Sequence, residues 1–144
     1  MKNKINTLFI ILLGVTLSNC SSNPSHTMST IKNPLPECPS TPNCVRKAIS
    51  VEGDSSTTFS AVEEALEKIG AESIKKEESK LRIDAIFKIP IFGYRDDVAV
   101  LVEPKNESST IFIRSASREG HWDIFVNSIR VRRIINQIQK QLSE

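Results

Sequence analysis

The chain has 144 residues and carries 19 Lys+Arg against 17 Asp+Glu. The two excess cations, Lys2 and Lys4, lie at the N-terminus, so the chain from residue 20 onward is formally neutral. This balance gives no electrostatic basis for a nucleic-acid partner, and the length allows one domain with a single core.

The N-terminus has the layout of a secretory signal. Lys2 and Lys4 precede a mainly apolar run of ten residues at 8–17, and a Leu-Ser-Asn-Cys segment then ends at Cys20. A basic segment, a short apolar segment and a processing site are the parts of a signal peptide. An uncleaved membrane anchor is the alternative, but a spanning helix needs about 20 apolar residues. We predict that residues 1–19 are removed as a signal peptide.

Cys20 resembles the lipidated cysteine in the lipobox of bacterial lipoproteins. The resemblance implies that Cys20 carries acyl chains such as palmitate, becomes the mature N-terminus and attaches the protein to a membrane of the cell envelope. Ser21 is not the Asp associated with inner-membrane retention, which favours the outer membrane, facing the periplasm, if the source is Gram-negative. Asn19 departs from the smaller residue usual at its position, and plain secretion remains the alternative.

The next segment, 20–34, is mostly Ser, Thr, Asn and Pro and has little to bury. Such a composition predicts a flexible tether behind the lipidated cysteine. Residues 35–144 are predicted to form a single domain.

Two further cysteines, Cys38 and Cys44, enclose a short loop that contains Pro39 and Pro42. In an exported protein the compartment is oxidising, so a Cys38–Cys44 disulfide is the default prediction. A zinc site is the alternative, but zinc clusters usually space their first cysteines by two to four residues and need four ligands. We predict no metal here.

Apolar spacing predicts the elements of the domain. A first helix is expected at 58–69, capped by one of the residues 55–58. Strands are expected at 71–76, 80–87, 98–102 and 110–115. A last helix follows, capped by Asn127 or Ser128. Its apolar face comprises Val131, Ile134, Ile135, Ile138 and Leu142.

These elements predict an α+β domain with two layers. Short links between three or four strands favour an antiparallel meander sheet. Two amphipathic helices can cover one face of that sheet. The other face is then a binding surface, or the segment 35–50 covers it.

Three motifs, at 35–45, 92–98 and 113–120, look unlike generic scaffold, and the third continues to Asn127. Together they resemble the family called domain of unknown function fourteen-ninety-nine, found in bacterial exported proteins and in plastids. Its recurring elements are a Cys-Pro-Ser-Ser-Pro-Asn-Cys-Val opening, an Asp-Asp-Val and an Arg-Ser-Ala-Ser-Arg. The chain departs from the family at Glu119, His121 and Ser128. The family's activity is not established, so the resemblance implies architecture alone.

The motifs concentrate arginines, hydroxyls and carboxylates. A guanidinium pairs bidentately with a carboxylate or phosphate, so one hypothesis is an anion-binding cleft. The alternative is internal Arg–Asp pairing, because partly buried charges need partners. The predicted ligand-binding residues are Asp96, Asp97, Arg114, Ser115, Ser117, Arg118, Asp123 and Arg130.

A hydrolase can also be assembled from these residues. Ser115 or Ser117 would be the nucleophile, His121 the base and Asp123 the residue that orients it. The chain lacks a Gly-x-Ser-x-Gly nucleophile elbow, which makes this the alternative function.

A carboxylate metal site would need Asp96, Asp97 and Asp123 together, but adjacent strand residues point to opposite faces. We therefore predict no metal and no cofactor. Phe125 and other nearby aromatics are either interface anchors or core. The expected function is a lipid-anchored binding or accessory module, for a small anionic ligand or an envelope protein partner, rather than an enzyme.

Overall fold

The computed structural model describes residues 32–90, 92–120 and 123–144. The predicted signal, Cys20, most of the tether, His121 and Trp122 lie outside these residues. The elements in chain order are β1 (Cys44–Glu52), α1 (Ser55–Lys68), β2 (Ser73–Glu77), β3 (Arg82–Lys88), β4 (Arg95–Lys105), β5 (Ser108–Ser117) and α2 (Val126–Leu142). No helix in the described part of the chain is long and apolar enough to cross a membrane.

The strands form one antiparallel sheet in the order β1-β5-β4-β3-β2. Strands β2 to β5 are the predicted meander, and both helices pack on the sheet, so the predicted α+β fold is confirmed. The sheet has five strands, whereas three or four were expected. The additional strand is β1, which pairs with β5 along its whole length, from Cys44↔Ala116 to Glu52↔Ser108. As an edge strand with no fully buried residue, β1 lacks a strong apolar pattern.

Helix α1 begins at Ser55, three residues before the predicted start, and its cap is Asp54, so the prediction of a cap at one of the residues 55–58 is wrong. The Asp54 carboxylate accepts hydrogen bonds from the backbone N–H groups of Ser56 (2.9 Å) and Thr57 (3.0 Å). Hydrogen bonds from the Ser56 hydroxyl, from the Thr57 N–H and from the Thr57 hydroxyl lower the pKa of Asp54. At the other end Gly70, with φ 92°, follows the last turn.

Helix α2 begins at Val126, so the prediction that Asn127 or Ser128 caps it is wrong. The cap position is Phe125, in the left-handed region (φ 63°) and without a side-chain cap hydrogen bond. Asp123 serves instead, because its carboxylate accepts from the N–H groups of Phe125 (3.0 Å) and Asn127 (2.8 Å). Asn127 lies inside the helix and is fully buried. Its side chain does not cap the helix, because it forms hydrogen bonds with residues of β5 and the start of β1.

The core lies between the two helices and one face of the sheet. Its largest fully buried side chains include Leu66, Ile83, Ile113, Ile134 and Ile138. Burial of this apolar surface is the main stabilising contribution.

The opposite face of the sheet is partly covered by the segment before β1. Asn33 holds this segment through its carbonyl, which accepts from Arg46, and through its amide, which donates to Lys47 O at 3.3 Å. Leu35 is buried in the segment, and Phe112 is buried although it faces away from the helices. A disulfide links Cys38 to Cys44, as predicted, and ties the segment to the start of β1.

Candidate functional site

The sheet separates the predicted ligand-binding residues into two groups. Side chains alternate along β5, so Arg114 and Ser115 lie on opposite faces. Ser115 pairs across the sheet with Val98, which belongs to the core beneath the helices. Arg114 pairs with Arg46 and Ala99 on the other face, which we call the open face. The expected single cluster of these residues is therefore two clusters, one internal and one on the open face.

The internal cluster centres on Asn127. The Ser115 hydroxyl donates to Asn127 Oδ1, and Arg130 Nη1 donates to the same oxygen at 2.9 Å and to Ser115 Oγ at 3.2 Å. Asn127 Nδ2 donates to Ser117 Oγ and to Asn43 O, both at 3.0 Å. Because Asn127 is fully buried and each of its polar atoms is satisfied, the cluster is a structural bracket between β5, α2 and the start of β1.

Asp96 and Arg130 form a buried ion pair in the same region. Arg130 Nη2 lies 2.8 Å from Asp96 Oδ2, and the two residues are 9% and 0% exposed. Neither carboxylate oxygen of Asp96 accepts a hydrogen bond of acceptable geometry, so the contact is one of charge rather than of aligned N–H groups. Arg130 also lies over the ring of Phe87, 5.0 Å from its centroid. Arg130 and Asp96 therefore pair with each other inside the protein, which is the alternative to ligand binding given by the sequence.

Asn43 belongs to the bracket although the sequence prediction left it out. Its amide donates to Gly120 O at 2.6 Å, and its own carbonyl accepts from Ser117 N at 3.0 Å. The Cys38–Cys44 disulfide holds the chain next to it. The signal available in the sequence was its position inside the Cys-Pro loop motif.

The structure shows the surroundings of Ser115, Ser117 and Asp123, three of the four residues from which a hydrolase could be assembled. Ser115 is fully buried and bonded, and Ser117, half-buried, accepts from Asn127. Asp123 is committed to the start of α2. The proposed base, His121, lies outside the described residues. Within those residues no three His, Cys, Asp or Glu side chains converge in a way that could hold a metal ion.

The open face carries a row of side chains across all five strands: Arg46, Arg114, Ala99, Asp84 and Lys75. A cavity of about 390 Å³ lies here, which we call the open-face cleft. Its charged lining comprises Lys75, Arg82, Asp84, Asp97, Arg114 and Arg118, four cations against two carboxylates.

Two of those cations already have carboxylate partners. Arg118 binds Asp97, with Nη2–Oδ1 at 2.6 Å, and Arg82 binds Asp84 at the same distance. These hydrogen bonds raise the pKa of both guanidinium groups. The predicted ligand-binding residues Arg118 and Asp97 therefore pair with each other, while Arg114 is left without an ion pair among the described residues.

Exposed apolar side chains gather at one end of the described domain. They are Phe92 and Tyr94 between β3 and β4, and Ile124, Phe125 and Ile129 around the start of α2. Phe125 is 69% exposed, so it is not part of the core. A further cavity of about 370 Å³ lies between the two loops, with Asp96, Ser117 and Asp123 in its lining.

Fold and site define a class: a two-layer α+β domain with a charged cleft on its open sheet face. The chain belongs to the family described as Protein of unknown function (DUF1499), whose model matches residues 16–138. This is the family that the motifs of the sequence resemble. No curated protein matches the chain.

Among solved structures, the chain is similar to the adenylate sensor from AMP-activated protein kinase, crystallised with 5-aminoimidazole-4-carboxamide 1-beta-D-ribofuranotide. The two are 15% identical, the match covers 63% of this chain and 94% of that one, and the TM-score is 0.50. The vertebrate conserved region of human METTL16 is 11% identical over 67% of this chain and 98% of that one, with a TM-score of 0.47. At such identities the first likeness shows the fold alone.

Proposed function

We propose that this protein is a lipid-anchored binding module of the bacterial cell envelope that holds an anionic ligand in the open-face cleft. The signal layout and Cys20 support the anchoring. The charge of the cleft supports the class of ligand, since its lining has four cations and two carboxylates.

The observation that carries the proposal is the pair Arg114 and Arg46. The two arginines are directly opposite each other in register, and like charges at such positions destabilise a sheet. Arg46 has one distant carboxylate, Glu37 at 4.0 Å, which is 91% exposed. The Nε groups of both arginines are buried and donate no hydrogen bond. An anion bound beside Arg114 would relieve this repulsion and accept the free donor.

A phosphate or carboxylate group fits this requirement, because the planar guanidinium offers paired donors to either. Lys75 lines the same cleft and has no ion pair within the described residues, so it is the second cation open to a ligand. The carboxylates Asp84 and Asp97, already paired, would remain with their arginines.

Thermal melts test the proposal with inorganic phosphate and with glycerol phosphate, which stands for a lipid headgroup. Phosphate should raise the melting temperature of the wild type by mass action, relative to chloride at equal ionic strength. Arg114→Gln should remove that rise without lowering the melting temperature in chloride, because it also removes the repulsion with Arg46.

Lys105→Gln is the matched control, since Lys105 is an exposed cation of the same sheet outside the cleft. It should keep the phosphate response. A response to glycerol phosphate alone would assign the ligand to headgroups rather than free phosphate. An equal phosphate response in the wild type and Arg114→Gln would defeat the proposal, as would a large loss of stability in chloride, which would make Arg114 structural.

A further inference from the structure

A second cavity, which we call the helix-side cleft, lies on the other face of the sheet. It has a volume of about 390 Å³, within the range of small-molecule sites. The end of α1, the end of β3 and the first turns of α2 surround it. Its apolar lining comprises Ile69, Phe87, Ile89, Pro90, Val126 and Ile129. Ile129, 44% exposed, belongs to the apolar end of the domain.

The charged groups in this lining are all cations: Lys88, Arg130 and Arg133. Arg130 is bound to Asp96, whereas Lys88 and Arg133 form no ion pair with the described residues. Lys88 pairs in register with Arg95, whose guanidinium binds Glu72 at 2.7 and 2.9 Å. Its neighbour Phe87 faces the core, so alternation along β3 places the Lys88 side chain on the open face, and only its backbone borders the helix-side cleft. The cleft therefore combines an apolar wall with one cation, Arg133, that has no ion pair among the described residues.

We infer that the helix-side cleft binds a single-chain amphipathic anion, of the fatty-acid class. The alkyl chain would lie against Ile89, Val126 and Ile129, where burial removes it from water. The carboxylate head would lie beside the guanidinium of Arg133. A neutral chain would leave Arg133 unpaired, and a cationic chain would be repelled by it, so charge complementarity selects the anion. The site is independent of the open-face cleft, because the sheet lies between them.

Photocrosslinking of the full chain, purified in a neutral detergent, tests this inference. The probe is a dodecanoate that carries a diazirine near the end of its chain, and mass spectrometry maps where it attaches. Label is expected on the segments 87–90 and 126–133, which line the cleft. Unlabelled dodecanoate should compete it away, whereas dodecyltrimethylammonium, with the same chain and opposite charge, should not.

Arg133→Gln should weaken competition by dodecanoate about tenfold, the loss expected for one charge-assisted contact of about 1.4 kcal/mol. The control is Arg132→Gln, which removes the neighbouring exposed cation that does not line the cleft. Lys88→Gln should leave the competition unchanged, because that side chain lies on the open face. Arg114→Gln, on the open face, should leave the label unchanged, so this test can fail without touching the proposed function.

Three results would overturn the inference: equal competition by the ammonium probe, label on the open-face strand residues 113–118 instead, or the same effect of Arg132→Gln and Arg133→Gln. The melting temperature of each variant shows whether a lost label comes from unfolding. Val126→Trp is a further check, because the larger side chain fills the cleft from its apolar wall. That variant should lose the label while Arg132→Gln retains it.

Discussion

Replacing Arg130 by methionine removes the positive charge that faces Asp96. Methionine has a similar length and suits the apolar surroundings of Phe87, so the change is chiefly one of charge. In the wild type the guanidinium lies 2.8 Å from a carboxylate that is 0% exposed. The variant leaves this carboxylate buried and without a counter-charge among the described residues.

Stranding one partner of a buried pair costs about 3–5 kcal/mol, and we expect Arg130→Met to lose that much stability. The variant also loses the hydrogen bonds that Arg130 donates to Ser115 and Asn127. Asn127 Oδ1 still has the Ser115 hydroxyl as a donor, so we expect the bracket to add less to the loss than the unpaired carboxylate does. For a domain of this size about 1 kcal/mol corresponds to about 4 °C, which gives a fall in melting temperature of about 12–20 °C.

The assay is urea unfolding followed by circular dichroism, with Arg132→Met as the matched control. Arg132 is exposed and lies on the same helix, so its replacement should change stability by less than about 0.5 kcal/mol. If Arg132→Met lowers stability as much as Arg130→Met does, then loss of a positive charge on the helix, not loss of the ion pair, explains the fall in stability of Arg130→Met.

A double variant decides whether charge is the cause. Asp96→Leu combined with Arg130→Met removes both ions, and replacement of a buried pair by apolar residues is often close to neutral. We expect the double variant to recover at least half of the stability lost by Arg130→Met. A double variant whose loss equals the sum of the two single losses would refute the reasoning, because it would show no coupling between the charges.

Hydrogen bonds lower the pKa of Asp54, so its contribution to stability is present above the usual carboxyl pKa and is lost as the pH falls toward the lowered value. The difference in urea midpoint between the wild type and Asp54→Asn should therefore shrink in acid; a constant difference would contradict this account. Replacing Cys38 and Cys44 by serine should cost roughly 2 kcal/mol, because the bridge closes a short loop. Alkylation without reductant should label neither cysteine, and quantitative labelling would overturn the assignment. Mass spectrometry of the envelope form should find a lipid-modified N-terminal Cys20, and a chain that retains Met1 with unmodified Cys20 would exclude this processing.

Much of the fold could be predicted from periodicity. The apolar spacing of α2 and the alternation of β3 each predict that the apolar side chains share one face of the element. In the structure those side chains are the buried ones. β1 was not predicted because its residues are half-buried or exposed at an edge of the sheet, and because the charged Arg46 and Lys47 follow the apolar Val45 without a clear alternation. Its place depends on pairing with β5, a contact between distant parts of the chain.

The candidate site shows the same division. The sequence by itself determined the residue types, the alternation that sends Asp96 and Asp97 to opposite faces, and the cysteine pair that becomes a disulfide. It could not determine which charges meet. Asn127 reaches Asn43, 84 positions away, and Arg130 reaches Asp96, because α2 packs on one face of the sheet, against β1 and β5. Only the tertiary structure decided that Arg130 is neutralised inside the protein while Arg114 stays available on the open face, since burial and partners are properties of packing rather than of residue type.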